Sequence, residues 1–437
     1  MSDLHSLARR LMALDDRLAA CMRCGLCQSV CPMFGATMKE ADVARGKLAL
    51  VSNLAHELIC DPQAVAGKLD RCLLCGSCEA ACPSGVKITE IFFEAREVVN
   101  TYLGLPPLKK MIFRFLLPRP ELFNLSVRVG APLQRLMLRR NHDAQETACA
   151  PMLSFLLGKR HIRPLAPRSL TSLTGPLDEP RPEGGLKVAF YPGCMGDKLY
   201  VDMAQACLAV LRHHKVAVFL PEGLACCGMP ALASGDATGM LRQIAVNLPI
   251  LRGDFDYLVT PCPTCTKTIH SLWPHYAQRL GTLERDAAAR LAEKTLDITA
   301  FLVDVLKVAA LPESDEGTLA VTYHDSCHLS KGLGIRSQPR TLIRASSPCR
   351  LVEMDEADRC CGCGGSFNLT HYDLSLRIGQ RKRDNIVETG AAVAAAACPA
   401  CMMQLEDVLS QNHDAVVVRH PVQLYAQHLG LDGKAPA

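Results

Sequence analysis

From Lys187 onward the chain alternates short, unbroken apolar runs with longer stretches of mixed, helix-like patterning. The run "KVAFYPGC", closed by Pro and Gly, predicts a buried strand ending at Cys194. A helical stretch follows to about His214, "VAVFLP" predicts a second strand, and "YLVTPCPTC" closes the unit. The same order returns in "LAVTYHDSC" and "AAAACPAC". Strands alternating with helices predict α/β units with parallel sheets, whose ligand sites gather beyond the carboxyl ends of the strands.

Cysteines sit at or just past those predicted strand ends, and they repeat with the strands. Cys194, Cys226, Cys227, Cys262 and Cys265 recur as Cys327, Cys360, Cys361, Cys398 and Cys401, at offsets of 133, 134, 134, 136 and 136 residues. Such constancy over five positions marks a duplication. Five thiols from three separated loops predict one crevice per copy, able to hold a metal or a cluster. The spacing does not say which, and buried structural thiols are the plain alternative.

The N-terminal part carries a different cysteine pattern. "CMRCGLCQSVCP", Cys21 through Pro32, has the spacing C-x2-C-x2-C-x3-C-P, and "CLLCGSCEAACP", Cys72 through Pro83, repeats it fifty-one residues later. Zinc sites favour paired C-x2-C arms, whereas this run is the ligand pattern of cubane [4Fe-4S] clusters. In two-cluster ferredoxins the fourth cysteine ligates the other cluster. On that pattern one cluster takes Cys21, Cys24, Cys27 and Cys82, and the other takes Cys72, Cys75, Cys78 and Cys31. Gly25 and Gly76 are expected where a side chain would crowd the cluster, and Pro32 and Pro83 where helical bonding stops.

Composition frames these motifs. A chain of 437 residues, 49% hydrophobic and 21% charged, is long enough for two or three domains with real cores. Its 23 cysteines would suggest disulfides in a short secreted protein. "MSDLHSLARRLMALDD" lacks the apolar region and cleavage site of a signal peptide, so a reducing cytoplasm is expected. The longest apolar candidate span, "AAVAAAACPACMM", is too short to cross a bilayer. A net charge of +4 announces no nucleic-acid partner.

That charge is uneven. Thr101 to Asn141 holds eight Lys or Arg and one acid, Glu121. Met111, Phe115, Leu116 and Phe123 beside Lys109, Lys110, Arg114 and Arg119 suit amphipathic helices. These are expected to turn their apolar side to the protein's own domains, the alternative being a partner or an anionic leaflet. From Pro151 to Gly185 the chain turns Pro-rich and irregular, which predicts a boundary.

The patterns C(x31)CCG(x33)CPTC and C(x32)CCG(x35)CPAC resemble the paired CCG domains of the heterodisulfide reductase family, and "YHDSCHLSKGLGI" resembles the start of the second. Twin ferredoxin motifs ahead of two CCG domains resemble the iron–sulfur subunit of glycolate oxidase and of related D-lactate and anaerobic glycerol-3-phosphate dehydrogenases, as do "CPSGVKI" and "LPRPELF". The resemblance implies an α+β multidomain chain. A helical two-cluster ferredoxin-like domain (1–102), a basic helical connector and linker (103–184) and two α/β CCG domains (185–310 and 311–437) follow one another.

It also implies an electron-transfer subunit of an FAD-dependent 2-hydroxy acid dehydrogenase, not catalytic alone. Besides two cubane clusters, one or two further iron–sulfur clusters are expected in the CCG domains. An FAD-binding dehydrogenase subunit and a quinone or membrane redox partner are the expected partners, at the inner face of the cytoplasmic membrane. The chain has no G-x-G-x-x-G after a strand and no G-x4-G-K-[ST], so flavin and nucleotide sites are expected on another chain. Two alternatives stand: a catalytic subunit cleaving a disulfide at CCG-bound clusters, favoured by five cysteines being kept in both copies, and a docking module built on structural zinc.

His324 and His328 flank Cys327 and are expected to cap or hydrogen-bond near a helix start, with metal ligation as the alternative. Lys331 is placed to favour a thiolate there, or simply to be solvated. Cys60, Cys149, Cys207, Cys349 and Cys363 fall outside the spacings and are expected to be packing thiols, Cys363 being close enough to Cys361 to serve as a spare ligand.

Overall fold

Apolar spacing in the N-terminal segment produces helices with one buried stripe. The helix Leu4–Met12 buries Leu7, Ala8 and Leu11, and Ile88–Leu103 buries Ile91, Phe92, Ala95, Arg96 and Val99. Asp61 caps the helix Pro62–Asp70 by accepting from the Ala64 amide at 2.9 Å. The structure, a computed structural model, describes residues 4–140, 147–149, 159–312 and 319–431. The start of the Pro-rich stretch (151–158), the end of the basic one (Asn141) and the opening of the second repeat (313–318) lie outside the described residues.

The chain divides into two units. The first comprises Met1–Phe115, Gly228–Met240 and Arg359–Lys382, and the second comprises Leu116–Cys227, Leu241–Asp358 and Arg383–Ala437. In the first unit, the two cysteine runs form matching loops. Gly25 (φ +88°) and Gly76 (φ +71°) each precede a short helix, Leu26–Ser29 and Ser77–Ala80. Arg23 and Leu74, at the same place in their runs, are also left-handed (φ 57° and 53°), a conformation costing about 1–3 kcal/mol for a residue with a side chain. Both glycines take the left-handed turn that opens the short helix, a conformation they adopt without the strain a side chain brings. Pro32 likewise begins a helix, Pro32–Thr37, at its first position and so stops none.

Arg96 ties the later segment Gly228–Met240 into this unit. It donates to the carbonyls of Leu69 (2.5 Å), Cys72 (2.8 Å) and Ala233 (2.5 Å). Arg114 clamps the buried Asp236 through both carboxylate oxygens, so it faces the protein and not a surface.

The second unit opens with a small antiparallel sheet of β1 (Arg139–Arg140), β2 (Ala148–Cys149) and β3 (His161–Ile162). Five strands then form one sheet: β4 (Leu177–Asp178), β5 (Lys187–Phe190), β6 (Ala217–Leu220), β7 (Tyr257–Thr260) and β8 (Thr295–Asp297), in the order β4-β6-β5-β7-β8. The second repeat supplies β9 (Leu319–His324), β10 (Cys349–Leu351), β11 (Val393–Ala396) and β12 (Val417–Arg419), ordered β10-β9-β11-β12. Leaving out β4, the two orders coincide strand for strand, which is the duplication seen as topology. Within these two larger sheets all pairs are parallel except β4 with β6, so the five-stranded sheet is mixed where an all-parallel one is expected. The central strands β5, β7, β9 and β11 are buried toward their carboxyl ends, as parallel strands covered on both faces are.

Strand β5 ends at Phe190, short of Cys194, which lies in the following helix Gly193–Lys198. The connector helix Pro120–Met137 buries Val127 and Ala131 but leaves Leu122, Leu125 and Val129 exposed beside Arg119 and Arg128. Its apolar side therefore faces the protein only in part.

Candidate functional site

In the first unit the eight ferredoxin-type cysteines line two pockets. One is lined by Cys21, Cys24, Cys27 and Cys82 with Arg45 and Ile88, and the other by Cys31, Cys72, Cys75 and Cys78 with Lys47 and Phe92. Each pocket thus takes three cysteines from one run and the fourth from the other. Burial, then the charges of Cys72, Cys75 and Cys31, drives the Cys78 thiol well above its ordinary range; burial first, then Cys75 and Cys72, drives Cys31 up to about 11. Four thiols so crowded ionise together only with a cation among them, and the donor set fits a thiolate-bound cluster.

The pockets differ in their charged neighbours. Lys47 is buried and donates to the carbonyls of Asp42 (2.5 Å) and Arg71 (3.4 Å), while the guanidinium of Arg96 rests on the Cys72 carbonyl. At the other pocket Arg45 holds the Arg23 carbonyl at 3.1 Å and pairs with Glu40 at 2.7 Å from a more exposed position. Neither Lys47 nor Arg96 stands out in the sequence, because each occupies an ordinary helix position.

In the second unit the five cysteines of the first repeat gather past the ends of β5, β6 and β7. Cys226 lies 3.9 Å from Cys194, sulfur to sulfur, and Cys265 is in hydrogen-bonding contact with Cys227 and Cys262. Gly193, at φ +67°, is the seat of Cys265: a Cβ there would stand 2.9 Å from its sulfur. The Cys226–Cys227 turn is pinned by backbone contacts. Tyr191 donates to the Ala225 carbonyl at 2.5 Å, Asn247 bonds the Ala225 amide and the Cys226 carbonyl, and Trp273 donates to the Cys227 carbonyl at 2.8 Å. These partners fix the backbone that carries the two thiols.

Of the second repeat, Cys327 opens the helix Cys327–Ser330 just after β9, and Cys398 and Cys401 begin the helix Pro399–Gln411 just after β11. Cys360, Cys361 and Cys363 are buried in Arg359–Lys382, a segment of the first unit. The sulfur of Cys398 contacts Cys262 of the other repeat and stands 3.7 Å from the Thr264 hydroxyl. Hydrogen bonds from Cys262 and Cys401 draw Cys398 well below the ordinary thiol range.

The histidines part company. His328 reaches across to Thr264 at 3.0 Å, while His324, the last residue of β9, is fully buried and caps nothing. Lys331 is held by the Asp358 carbonyl at 2.5 Å. Asp297, at the end of β8, has its carboxyl raised to about 7, chiefly by burial. Of the cysteines outside the spacings, Cys207 is buried in the helix Val201–His213, Cys60 is exposed, and Cys149 and Cys349 are half-buried.

Comparison with known proteins follows the same division. The pattern of the 4Fe-4S dicluster domain matches residues 17–86, and that of the cysteine-rich CCG domain matches 188–270 and 321–406. The chain is 28% identical over 416 residues to the probable glycolate oxidase iron–sulfur subunit of Bacillus subtilis, covering 90% of this chain and 89% of that one. It is 32% identical over 239 residues to lactate utilization protein A of Geobacillus kaustophilus, covering 54% of this chain and 96% of the relative. The chain belongs to the glycolate oxidase iron–sulfur subunit family. A further relative is a subunit of the fumarate reductase (CoM/CoB) of Methanothermobacter marburgensis, 23% identical over 402 residues and covering 91% of this chain and 69% of that one. A crystal structure of a hypothetical protein from Helicobacter pylori shares the fold at a TM-score of 0.52 and 10% identity, over 90% of this chain and 68% of that one. For this member of the glycolate oxidase iron–sulfur subunit family, both cysteine runs fall inside the dicluster match and both five-cysteine sets inside the CCG matches.

Proposed function

We propose that this protein is the electron-transfer subunit of an FAD-dependent 2-hydroxy acid dehydrogenase, of the glycolate or D-lactate type. Cys21, Cys24, Cys27 and Cys82 hold one [4Fe-4S] cluster, and Cys72, Cys75, Cys78 and Cys31 hold the other. The observation that carries this reading is the sorting of eight cysteines into two pockets of four, each completed by the other run. When bound, such clusters accept and release single electrons. The chain's own residues supply the thiolates and place Lys47 and Arg96 where added negative charge is stabilised.

The cysteine sets of the two repeats are proposed to hold further metal centres: Cys194, Cys226, Cys227, Cys262 and Cys265 in one, and Cys327, Cys360, Cys361, Cys398 and Cys401 in the other. Flavin chemistry is assigned to a partner subunit, and quinone to the exit of the chain. The exposed Leu122, Leu125 and Val129 beside Arg119 and Arg128 support docking at an anionic membrane surface in the cytoplasm. Among the described residues no helix is long and apolar enough to cross a membrane.

A second reading, cleavage of a disulfide substrate at the repeats, is favoured by one observation: the thiols of the two repeats touch, at Cys262 and Cys398. Cys361→Ser separates the two. On the relay reading it abolishes electron delivery to quinone and spares the partner's half-reaction with the hydroxy acid. Loss of disulfide reduction, with quinone never an acceptor, would support the second reading instead.

A further inference from the structure

Buried polar side chains normally find a partner, because leaving one unpaired costs about 1–3 kcal/mol. Nine buried side-chain nitrogen or oxygen atoms lack a hydrogen-bond partner among the described residues, and five of them belong to Thr322, Tyr323, His324 and Ser326 at the carboxyl end of β9. A sixth is a carboxylate oxygen of Asp297, at the end of β8. His324 is the extreme case: it is fully buried, and both of its ring nitrogens are unpaired. A neutral imidazole carries one donor and one acceptor, so here both are left over. One of its nitrogens lies within 4.8 Å of the Cys401 sulfur.

The duplication supplies a control inside the same chain. At the offset of 133 residues that relates Cys194 to Cys327, His324 falls opposite Tyr191. Tyr191 is equally buried and equally set among its repeat's thiols, yet its hydroxyl is satisfied by the Ala225 carbonyl at 2.5 Å. The first repeat has thus filled this position with a side chain that closes on its own backbone. The second has filled it with a nitrogen donor that closes on nothing among the described residues. A histidine that served only structure would be expected to use a carbonyl, as His420 uses that of Ala397 at 3.0 Å.

We infer that His324 is a metal ligand, which makes the second repeat a mixed imidazole–thiolate site beside the all-thiolate site of the first. The inference rests on the proposed reading that the second repeat holds a metal centre, and it deepens that reading: the two repeats hold chemically different centres. Imidazole is a neutral donor in place of an anionic thiolate, so the second centre carries one unit less negative charge and is the more readily reduced of the two. Replacing cysteine by histidine ligands raises iron–sulfur potentials in the same sense. The shared chemistry, imidazole plus thiolate, suits both iron of a cluster and zinc, and the test separates them.

The test uses the full chain, purified anaerobically, with histidine labelled with 15N. Pulsed EPR of the reduced or oxidised protein is expected to show the coupling of a directly bound imidazole nitrogen. His324→Tyr, which installs the residue of the first repeat, and His324→Gln should both lose it, while the signals of the two ferredoxin clusters persist and report a folded chain. If the centre is zinc, no coupling is expected. Zinc should then be stoichiometric in the wild type and lost from both variants at unchanged iron. Metal present in the wild type and retained in both variants, with an unaltered spectrum, would overturn the assignment of His324 alone. A wild type with only about eight irons and no zinc would instead overturn the reading that the repeats hold metal, and this inference with it.

Discussion

The thiols of Cys262 and Cys398 are in hydrogen-bonding contact, joining the C-x2-C motif of one repeat to that of the other. Thr264 buttresses the junction, 3.7 Å from the Cys398 sulfur and 3.0 Å from the His328 ring. Through Cys265 and Cys227 the contact continues into the first repeat. On the proposed reading, two centres built on such a string would be close neighbours, each in the other's field.

Cys262→Ser is therefore expected to disturb both repeats: metal lost from the first and a shifted spectrum for the second. Cys194→Ser, at the far side of the same set, should affect the first repeat alone. EPR spectra of the two variants, each scaled to iron content, check this. Equal effects on the second repeat would remove the role of the contact.

The exchanged pockets make a separate prediction. Cys31→Ser should damage the same cluster as Cys72→Ser, although the two residues are far apart in sequence, because both line one pocket. Spectra in which the two variants lose different clusters would mean that each run closes on itself.

Lys47 is a buried cation at the pocket of Cys31, Cys72, Cys75 and Cys78. Replacing it by Met removes positive charge beside a centre that gains an electron, so that cluster's potential should fall by on the order of tens of millivolts. The cluster in the Cys21 pocket should move much less. A redox titration followed by EPR reads both at once.

His420 links pH to stability. Its Nδ1 accepts from the Val422 amide at 3.1 Å and its Nε2 proton goes to the Ala397 carbonyl at 3.0 Å, so the neutral ring is the one the fold uses. Burial lowers it from the ordinary 6.5 to about 4. Between those values the folded chain binds fewer protons than the unfolded one, so stability is held above pH 6.5 and lost as pH falls through the window, by roughly 3 kcal/mol at most. His420→Asn keeps a capping oxygen and should flatten that loss. Equal melting-temperature slopes for variant and wild type between pH 6.5 and 4 would contradict it.

Much of this is legible in the sequence itself, for a physical reason. Ligand chemistry constrains cysteine spacing, so the ferredoxin runs and the duplicated sets are visible as bare patterns. Strands such as Val393–Ala396 are buried on both faces and so read as unbroken apolar runs. What escapes such a reading depends on long-range packing. Arg96 and Lys47 occupy ordinary helix positions and show their role only when Cys72 and Asp42 arrive beside them. His324 and His328 look like a pair on one helix, but the strand ends between them and sends them to different neighbours. A signal for His324 is nevertheless there: aligning the repeats at their own offset sets it against Tyr191. The glycines of the cysteine runs also serve a left-handed turn, which shows only in the backbone and not in the spacing.

The most direct test of the central claim is anaerobic EPR of this chain on addition of a 2-hydroxy acid, with and without the proposed flavoprotein partner. Signals of reduced iron–sulfur clusters should grow only when the flavoprotein is present, because the proposal assigns the hydride-accepting flavin to that partner. Cluster reduction by the hydroxy acid in the flavin-free chain, or none in the complex, would contradict the account.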